Sequence, residues 1–398
     1  MLSLSNALRI IRRETPRLGT EKIEIELASD RILAEDILAD SDMPPFDRSQ
    51  MDGFAVMSKD TKNAPVRLRL VGESKAGRGW NGRLSPGEAV RIMTGARLPL
   101  GADAVQKLEL ATESGNYVTI AEPVEKGRFV VKRGAETKAG TTCLRVGRHL
   151  TAFDLAIPAA FGKRKIKVYR RPEIVIIPTG SEIVPPASRP GRDQIRDSNS
   201  QMLAALCRKA GGNPHIMPIV SDELSEITSE LKNAIKRFDV IITTGGVSVG
   251  KYDLTGKAFE NAGANIYFDR VKLKPGKPVT FGKKGRVLFF GLPGNPVSAA
   301  VSFYLLVRPA LRAMQGERYV SDSTIPALAG ANLKAVRGRD TYLPVKVKFT
   351  AKGIIAEPLR WAGSSDFVSM AGANGLAIVP SGKTIAAGEP VSLINLTL

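Results

Sequence analysis

The sequence predicts a multidomain protein in which a doubly wound α/β domain is joined to smaller β domains. Three observations carry that reading. Apolar strands alternate with helical stretches from about residue 171 to 315, short β-like runs broken by Gly-rich turns fill about 43–141, and a second set of short strands follows residue 321. The chain has 398 residues, enough for two or three separate cores.

In chain order, Leu4, Leu8 and Ile11 recur at helical spacing over 3–14, with Ser3 and Ser5 available as caps. Ile23, Ile25 and Leu27 alternate as in a strand, and 29–38 reads as a short helix. Runs at 66–71, 88–93, 117–120 and 129–131 then suggest a small all-β domain. After a mixed stretch over 142–170, a strand at 173–178 ends in Thr179-Gly180-Ser181-Glu182. A helix over 200–210 should stop at Gly211-Gly212. Next come a strand at 215–220 and a helix capped by Ser221, with Asp222 and Glu223 in its first turn. A buried strand at 239–244 runs into Gly245-Gly246, and another at 286–290 runs into Gly291-Leu292-Pro293-Gly294-Asn295-Pro296 and a helix over 297–314. Such alternation implies a parallel sheet, with ligands at the carboxyl ends of its strands. Strands at 342–350, 353–358, 376–379 and 391–396 suggest a compact barrel or sandwich.

Composition narrows the function. With 43% hydrophobic and 24% charged residues the chain is ordinary for a soluble protein. No apolar run approaches the ~20 residues of a membrane helix, and Arg9, Arg12 and Arg13 interrupt the N-terminal apolar stretch, unlike a signal peptide. Cys143 and Cys207 alone form no disulfide framework or zinc pattern, and His149 and His215 leave little His-based metal chemistry. A cytoplasmic enzyme is expected, with no membrane partner. Fifty-eight Lys and Arg against thirty-nine Asp and Glu give a formal charge of +19, which attracts anions in general. The densest basic run, Lys163-Arg164-Lys165-Ile166-Lys167, alternates like the solvated face of a strand. No nucleic-acid module is evident, so no specific nucleic-acid partner is expected.

The chemistry-bearing residues cluster at the predicted strand ends. In Thr243-Thr244-Gly245-Gly246-Val247-Ser248-Val249-Gly250, followed by Asp253, the glycines free backbone N–H groups to approach a phosphate, and Ser248 adds a hydroxyl. A tight turn without a ligand would leave the same pattern. In Pro293-Gly294-Asn295-Pro296, Asn295 suits an N-cap and Pro296 the first helical position, so a helix dipole would face the cleft. Lys274 and Lys277, on the stiff Lys272-Leu273-Lys274-Pro275-Gly276-Lys277-Pro278 loop, suit oxyanions such as phosphate or molybdate; a solvated charged loop is the alternative. Glu182, Asp222 and Asp253 punctuate the same rim, and carboxylates beside phosphate usually imply Mg²⁺. For Asp222 the helix dipole is a sufficient alternative.

Six segments, SQMDGFAV (49–56), RIMTGA (91–96), PTGSEI (178–183), TTGGVSVGKYD (243–253), KLKPGKP (272–278) and GLPGNPVSA (291–299), resemble the MoeA and gephyrin E-domain family, in the same order and over nearly the whole chain. The resemblance implies four domains: a discontinuous N-terminal domain (1–40 and 142–170), an inserted β domain (41–141), a MogA-like molybdopterin-binding α/β domain (171–320) and a C-terminal β-barrel (321–398). It implies a homodimer whose cleft is shared between subunits, and a Mg²⁺-dependent molybdopterin molybdenumtransferase reaction. Adenylylated molybdopterin and molybdate, both substrates, would give molybdenum cofactor, AMP and water. By position, Asp52, Thr94, Glu182, Asp222, Asp253, Lys274 and Lys277 would be catalytic, with Glu182, Asp222 and Asp253 toward the metal. Gly245, Gly246, Ser248, Pro293, Gly294, Asn295, Pro296, Arg339 and Ser364 would bind substrate. Transient contacts with the adenylyltransferase step and with cofactor acceptors would follow, and a noncatalytic pterin-binding scaffold is the alternative. Two runs depart from the family: Arg133-Gly134-Ala135-Glu136 stands where Arg-Gly-Glu-Asp is common, and Thr179-Gly180-Ser181-Glu182 where Thr-Gly-Asp-Glu is common.

Overall fold

The computed structural model describes residues 1–246, 254–317, 324–351, 353–360 and 362–396. The chain forms two compact units: Met1–Ala34 with Gly147–Thr151 and Lys167–Leu398, and Glu35–Val146 with Ala152–Ile166.

At the centre of the larger unit lies a six-stranded sheet in the order Asn213–Ile216, Glu173–Pro178, Val240–Thr244, Val287–Leu292, Pro278–Lys284 and Asn265–Arg270. The first four strands are parallel. Pro278–Lys284 runs antiparallel to both its neighbours, so the sheet is mixed rather than parallel throughout. Gly285, at φ 57°, helps turn the hairpin in which Lys284 pairs with Val287, a two-residue connection open only to antiparallel neighbours. Successive residues point to opposite faces: Ile174, Ile176, Ile242 and Phe290 enter one core, while Val175, Ile177, Ile241 and Phe289 enter the other. Burial on both faces is what makes these strands continuous apolar runs in the sequence.

The helix Asn199–Lys209 ends just before Gly211, at φ 83°, where the C-cap was expected. The next helix, Leu224–Ala234, begins later than the sequence suggested, which leaves Asp222 in the preceding loop rather than in a first turn. The long helix that follows the central strand runs as Pro296–Ser302, a wider π turn Phe303–Val307, and Arg308–Met314. Pro309 explains the widening, because it offers no N–H to the carbonyl one turn earlier. Contrary to the composition-based expectation, Pro296–Met314 is long and apolar enough to cross a membrane, but 89% of its apolar window is buried in the protein core.

The N-terminal helix Leu4–Glu14 is capped by Ser3, whose Oγ accepts from Asn6 N, and buries Ala7 and Ile11. No helix forms over 29–38; Ile32 and Leu33 make bridges to His149 and Val168 instead, and Ile37–Leu38 is a strand. Pairing with distant segments overrides the local pattern there. In the strand Lys165–Tyr169, Lys165 and Lys167 are exposed while Ile166 and Val168 are buried, as the alternation implied.

The C-terminal strands Ile325–Ala329, Asp340–Thr350, Gly353–Pro358, Gly375–Val379 and Pro390–Asn395 close into a five-stranded barrel. Its interior holds Ala327, Val345, Ala356, Ala377 and Leu393. A short strand from the Lys loop, Leu273–Lys274, pairs in parallel with Asp340 and Thr341 and so ties that loop to the barrel. The smaller unit is built on a sheet in the order Ala104–Lys107, Gly53–Val56, Glu88–Ile92, Val66–Ser74, Tyr117–Ile120 and Ala111–Ser114, with Phe54, Val56, Leu68 and Val118 in its core.

Candidate active site

At the carboxyl ends of the central strands the larger unit opens into a cleft of about 820 Å³. Two glycine loops form its floor. Gly245 holds φ 102°, and a Cβ there would lie 2.1 Å from the Thr179 carbonyl oxygen, so only glycine fits. A Cβ on Gly294 would lie 3.7 Å from Gly245 Cα, which places the two loops in contact. Asn295 is the N-cap and Pro296 the first residue of the long helix. Its side chain makes no capping bond; Asn295 Nδ2 instead donates to Ser364 Oγ at 3.0 Å, and Val297 N donates to Ser364 O at 3.1 Å. The barrel loop is thereby fixed to the helix start.

That loop is held from below by Asp366, whose carboxylate accepts from Ala362 N, Ser369 N and Ser369 Oγ. The Ala362 N–H, then the Ser369 N–H and hydroxyl, hold the Asp366 carboxyl below its ordinary range. Lys274, Lys277 and Arg339 join the same cleft wall, brought together by the pairing of Lys274 with Thr341. Gly276 allows the Lys loop to approach the helix, since a Cβ there would lie 2.5 Å from Ser302 Oγ.

Thus Glu182, Gly245, Gly246, Lys274, Lys277, Pro293, Gly294, Asn295, Arg339 and Ser364 share one cleft. Pro296 sits behind Asn295, in the wall of a neighbouring apolar groove with Met202 and Phe367. Asp222 is engaged elsewhere than a helix dipole: its Oδ2 accepts from Ser181 N at 3.0 Å, which joins it to the Thr179–Glu182 turn. Ser248 and Asp253 lie outside the described residues. No group of three candidate metal ligands occurs among the described residues. The acids lining the cleft, Glu182 and Asp197, are hard oxygen donors with no Cys or His beside them. Two carboxylates with substrate phosphate suffice for Mg²⁺, so the donor chemistry fits.

In the smaller unit, Asp52 and Thr94 form a pair: Asp52 Oδ1 accepts from Thr94 N at 2.7 Å and from Thr94 Oγ1 at 3.0 Å. Both are exposed. Gly53 cannot carry a side chain, because a Cβ would meet Gln106 O at 1.9 Å. In the departing run, Glu136 accepts from Arg48 Nη2 at 2.9 Å and Arg133 Nε donates to Asp42 Oδ2 at 2.7 Å.

Sequence reading missed Thr179, Asp197, Asn199 and Thr244 as cleft residues. The available signal was the polar run Asp197-Ser198-Asn199 opening a helix, which by itself looks like simple capping. Asp197 does accept from Ser200 N at 3.0 Å, while Asn199 reaches across to Thr244 and Gly294.

Residues 2–162 match the family described as MoeA N-terminal region (domain I and II), 175–313 match a probable molybdopterin binding domain, and 326–396 match the MoeA C-terminal region (domain IV). The molybdopterin molybdenumtransferase of Bacillus subtilis (strain 168) is 34% identical over 371 residues, covering 91% of this chain and 86% of that protein. The chain belongs to the MoeA family. Another relative, the molybdopterin molybdenumtransferase of Nostoc sp. (strain PCC 7120), is 34% identical over 415 residues, covering 100% of this MoeA chain and 94% of its relative. Among solved structures, the molybdopterin biosynthesis moeA protein from Pyrococcus horikoshii OT3 superposes with a TM-score of 0.86 at 29% identity, covering 99% and 100% of the two chains.

Proposed function

We propose that this MoeA chain is a molybdopterin molybdenumtransferase, inserting molybdate into adenylylated molybdopterin with release of AMP. The observation that carries this is the single cleft in which both glycine loops, Lys274, Lys277, Arg339 and Glu182 meet. Its substrates require that arrangement: one carries a diphosphate and the other is a dianion, so several negative charges must be gathered in one place. Backbone N–H groups of Gly245 and Gly246 and the helix start at Asn295-Pro296 are assigned to the terminal phosphate. Lys274 and Lys277 act as point charges on molybdate or the diphosphate, with Arg339 and Ser364 at the cleft edge.

Magnesium belongs to this proposal through Glu182, with Asp197 beside it in the cleft, and through Asp222 and Asp253 on the family resemblance. When bound, Mg²⁺ would screen the diphosphate and raise its susceptibility to attack. The protein's own groups bind the anions, orient them and exclude solvent. Asp52 and Thr94 are assigned to the catalytic set on the family resemblance, and Pro296 and Ser248 to substrate binding. A homodimer, a cytoplasmic location, transient contacts with the adenylyltransferase step and with cofactor acceptors, and the four-domain division 1–40 with 142–170, 41–141, 171–320 and 321–398 complete the reading.

The test supplies adenylylated molybdopterin, molybdate and Mg²⁺ to the purified protein. AMP release coupled to active cofactor, absent without molybdate, is expected. Tight pterin binding with no turnover would support a scaffold instead. Asp253→Ala should lower turnover by ~10²-fold or more, the usual scale for a group that stabilises transition-state charge; wild-type turnover would remove Asp253 from the set.

A further inference from the structure

We propose that Asn199 is a positioning residue that locks the two glycine loops into one rigid anion cradle. Its kinetic consequence rests on the transferase reading above; its structural consequence does not. Asn199 is only 8% exposed and opens the helix Asn199–Lys209. Its Nδ2 donates to Thr244 Oγ1 at 2.8 Å, at the end of one strand, and to Gly294 O at 2.7 Å, in the loop after the neighbouring strand. The orientation of the amide follows from chemistry: the Gly294 carbonyl can only accept, so the NH₂ must face it.

Two features separate this from ordinary packing. Among the described residues, a bond from Gly245 N to Leu292 O also joins the loops, and at 3.3 Å it is long. The amide therefore supplies the shorter tie, and it supplies it from a third element. That element is itself fixed at its start, because Asp197 Oδ1 accepts from Ser200 N at 3.0 Å and Asp197 N donates to Val184 O at 2.9 Å. The second feature is that Asn199 Oδ1 is buried with no protein partner among the described residues. An unmatched buried acceptor costs stability, which a side chain kept only to fill space would avoid. What an apolar residue cannot do is donate to Thr244 and Gly294 at once. Catalytic sites tolerate such costs when the result is fixed donor geometry around developing charge.

Asn199→Asp is the decisive variant, since it keeps the size and replaces the donor with an acceptor facing the Gly294 carbonyl. Hydrogen exchange followed by mass spectrometry on the intact protein should show faster exchange in peptides covering 244–246 and 292–295, with the rest of the sheet unchanged. KM for adenylylated molybdopterin should rise ~10-fold, the equivalent of one lost charge-orienting hydrogen bond, with a smaller change in kcat. Thr244→Val, which removes one of the two acceptors and leaves the Gly294 bond, should give a smaller change in the same peptides and keeps the test intact if the Asp variant does not fold. Unchanged exchange in both loops in either folded variant overturns the proposal. If wild-type protein shows no turnover while the exchange result holds, the transferase reading fails and the clamp stands.

Discussion

Around Gly245 the sequence has no freedom. With φ at 102° and the Thr179 carbonyl 2.1 Å from any added Cβ, Gly245→Ala must displace the loop or distort the strand end. Strain of this type costs about 1–3 kcal/mol, so the variant should remain folded while binding of adenylylated molybdopterin weakens ~10-fold or more, by the usual conversion of that energy into affinity. Titration of the pterin against wild type and variant measures this, and equal affinity would show that the loop's backbone does not hold the phosphate. Asp222 shows the opposite case. Its place in the sequence suggested a metal-facing carboxylate or, alternatively, a helix dipole; the dipole reading fails because the helix starts at Leu224 and the carboxylate holds the Ser181 amide. A loop shifted by two residues changes what an acid is for, and residue type alone does not record that shift.

The helix start at Asn295-Pro296 acts as a joint between two parts of the larger unit. Asn295 forgoes its own capping bond to hold Ser364, and the backbone of Val297 holds the same residue. Asn295→Ala and Ser364→Ala should therefore be non-additive, with a coupling of about 1 kcal/mol in unfolding free energy, as for residues in one hydrogen-bonded pair. Additive effects in denaturant titrations of the two single variants and the double would show that the joint carries no energy. Capping chemistry was legible in Asn295-Pro296; its diversion to a residue 69 positions away was not, because no local pattern specifies it. The same reason explains the loss of the expected helix over 29–38, where Ile32 pairs with His149 and Leu33 with Val168.

Charge acts over the whole molecule. At neutral pH the chain carries +19, and each carboxylate that protonates adds to its self-repulsion. Several carboxyls sit below their ordinary values: Asp366 through the Ala362 amide, Asp42 through the Ala139 amide, Glu88 through the Ser85 amide, and Glu14 through Arg13 and Tyr267. A carboxyl lowered in the folded state contributes stability that is present above its unfolded value and lost as pH falls through its folded value. The ordinary values are 3.8 for the aspartates and 4.5 for the glutamates, so the melting temperature should hold steady from pH 7 down to about 4.5 and fall below that. Calorimetry between pH 7 and 3 checks this, and a flat profile would refute it. Added salt should soften the acid-side loss, because it screens the net charge.

Local physics was enough to mark the strand ends. Continuous apolar runs at Glu173–Pro178 and Val240–Thr244 require burial on both faces, and glycines immediately after a strand require backbone conformations that other residues avoid. By itself, then, the sequence determined the parallel heart of the α/β domain, the two glycine loops and the Lys loop, and from these it raised the expectation of an anionic ligand. Only the tertiary structure decided that the strand Pro278–Lys284 runs against both its neighbours, that the barrel closes and carries Arg339 and Ser364 to the cleft, and that Asn199 joins both loops. Those outcomes depend on hydrogen bonds between residues far apart in the chain, whose partners are chosen by packing and leave no periodic trace in the order of amino acids.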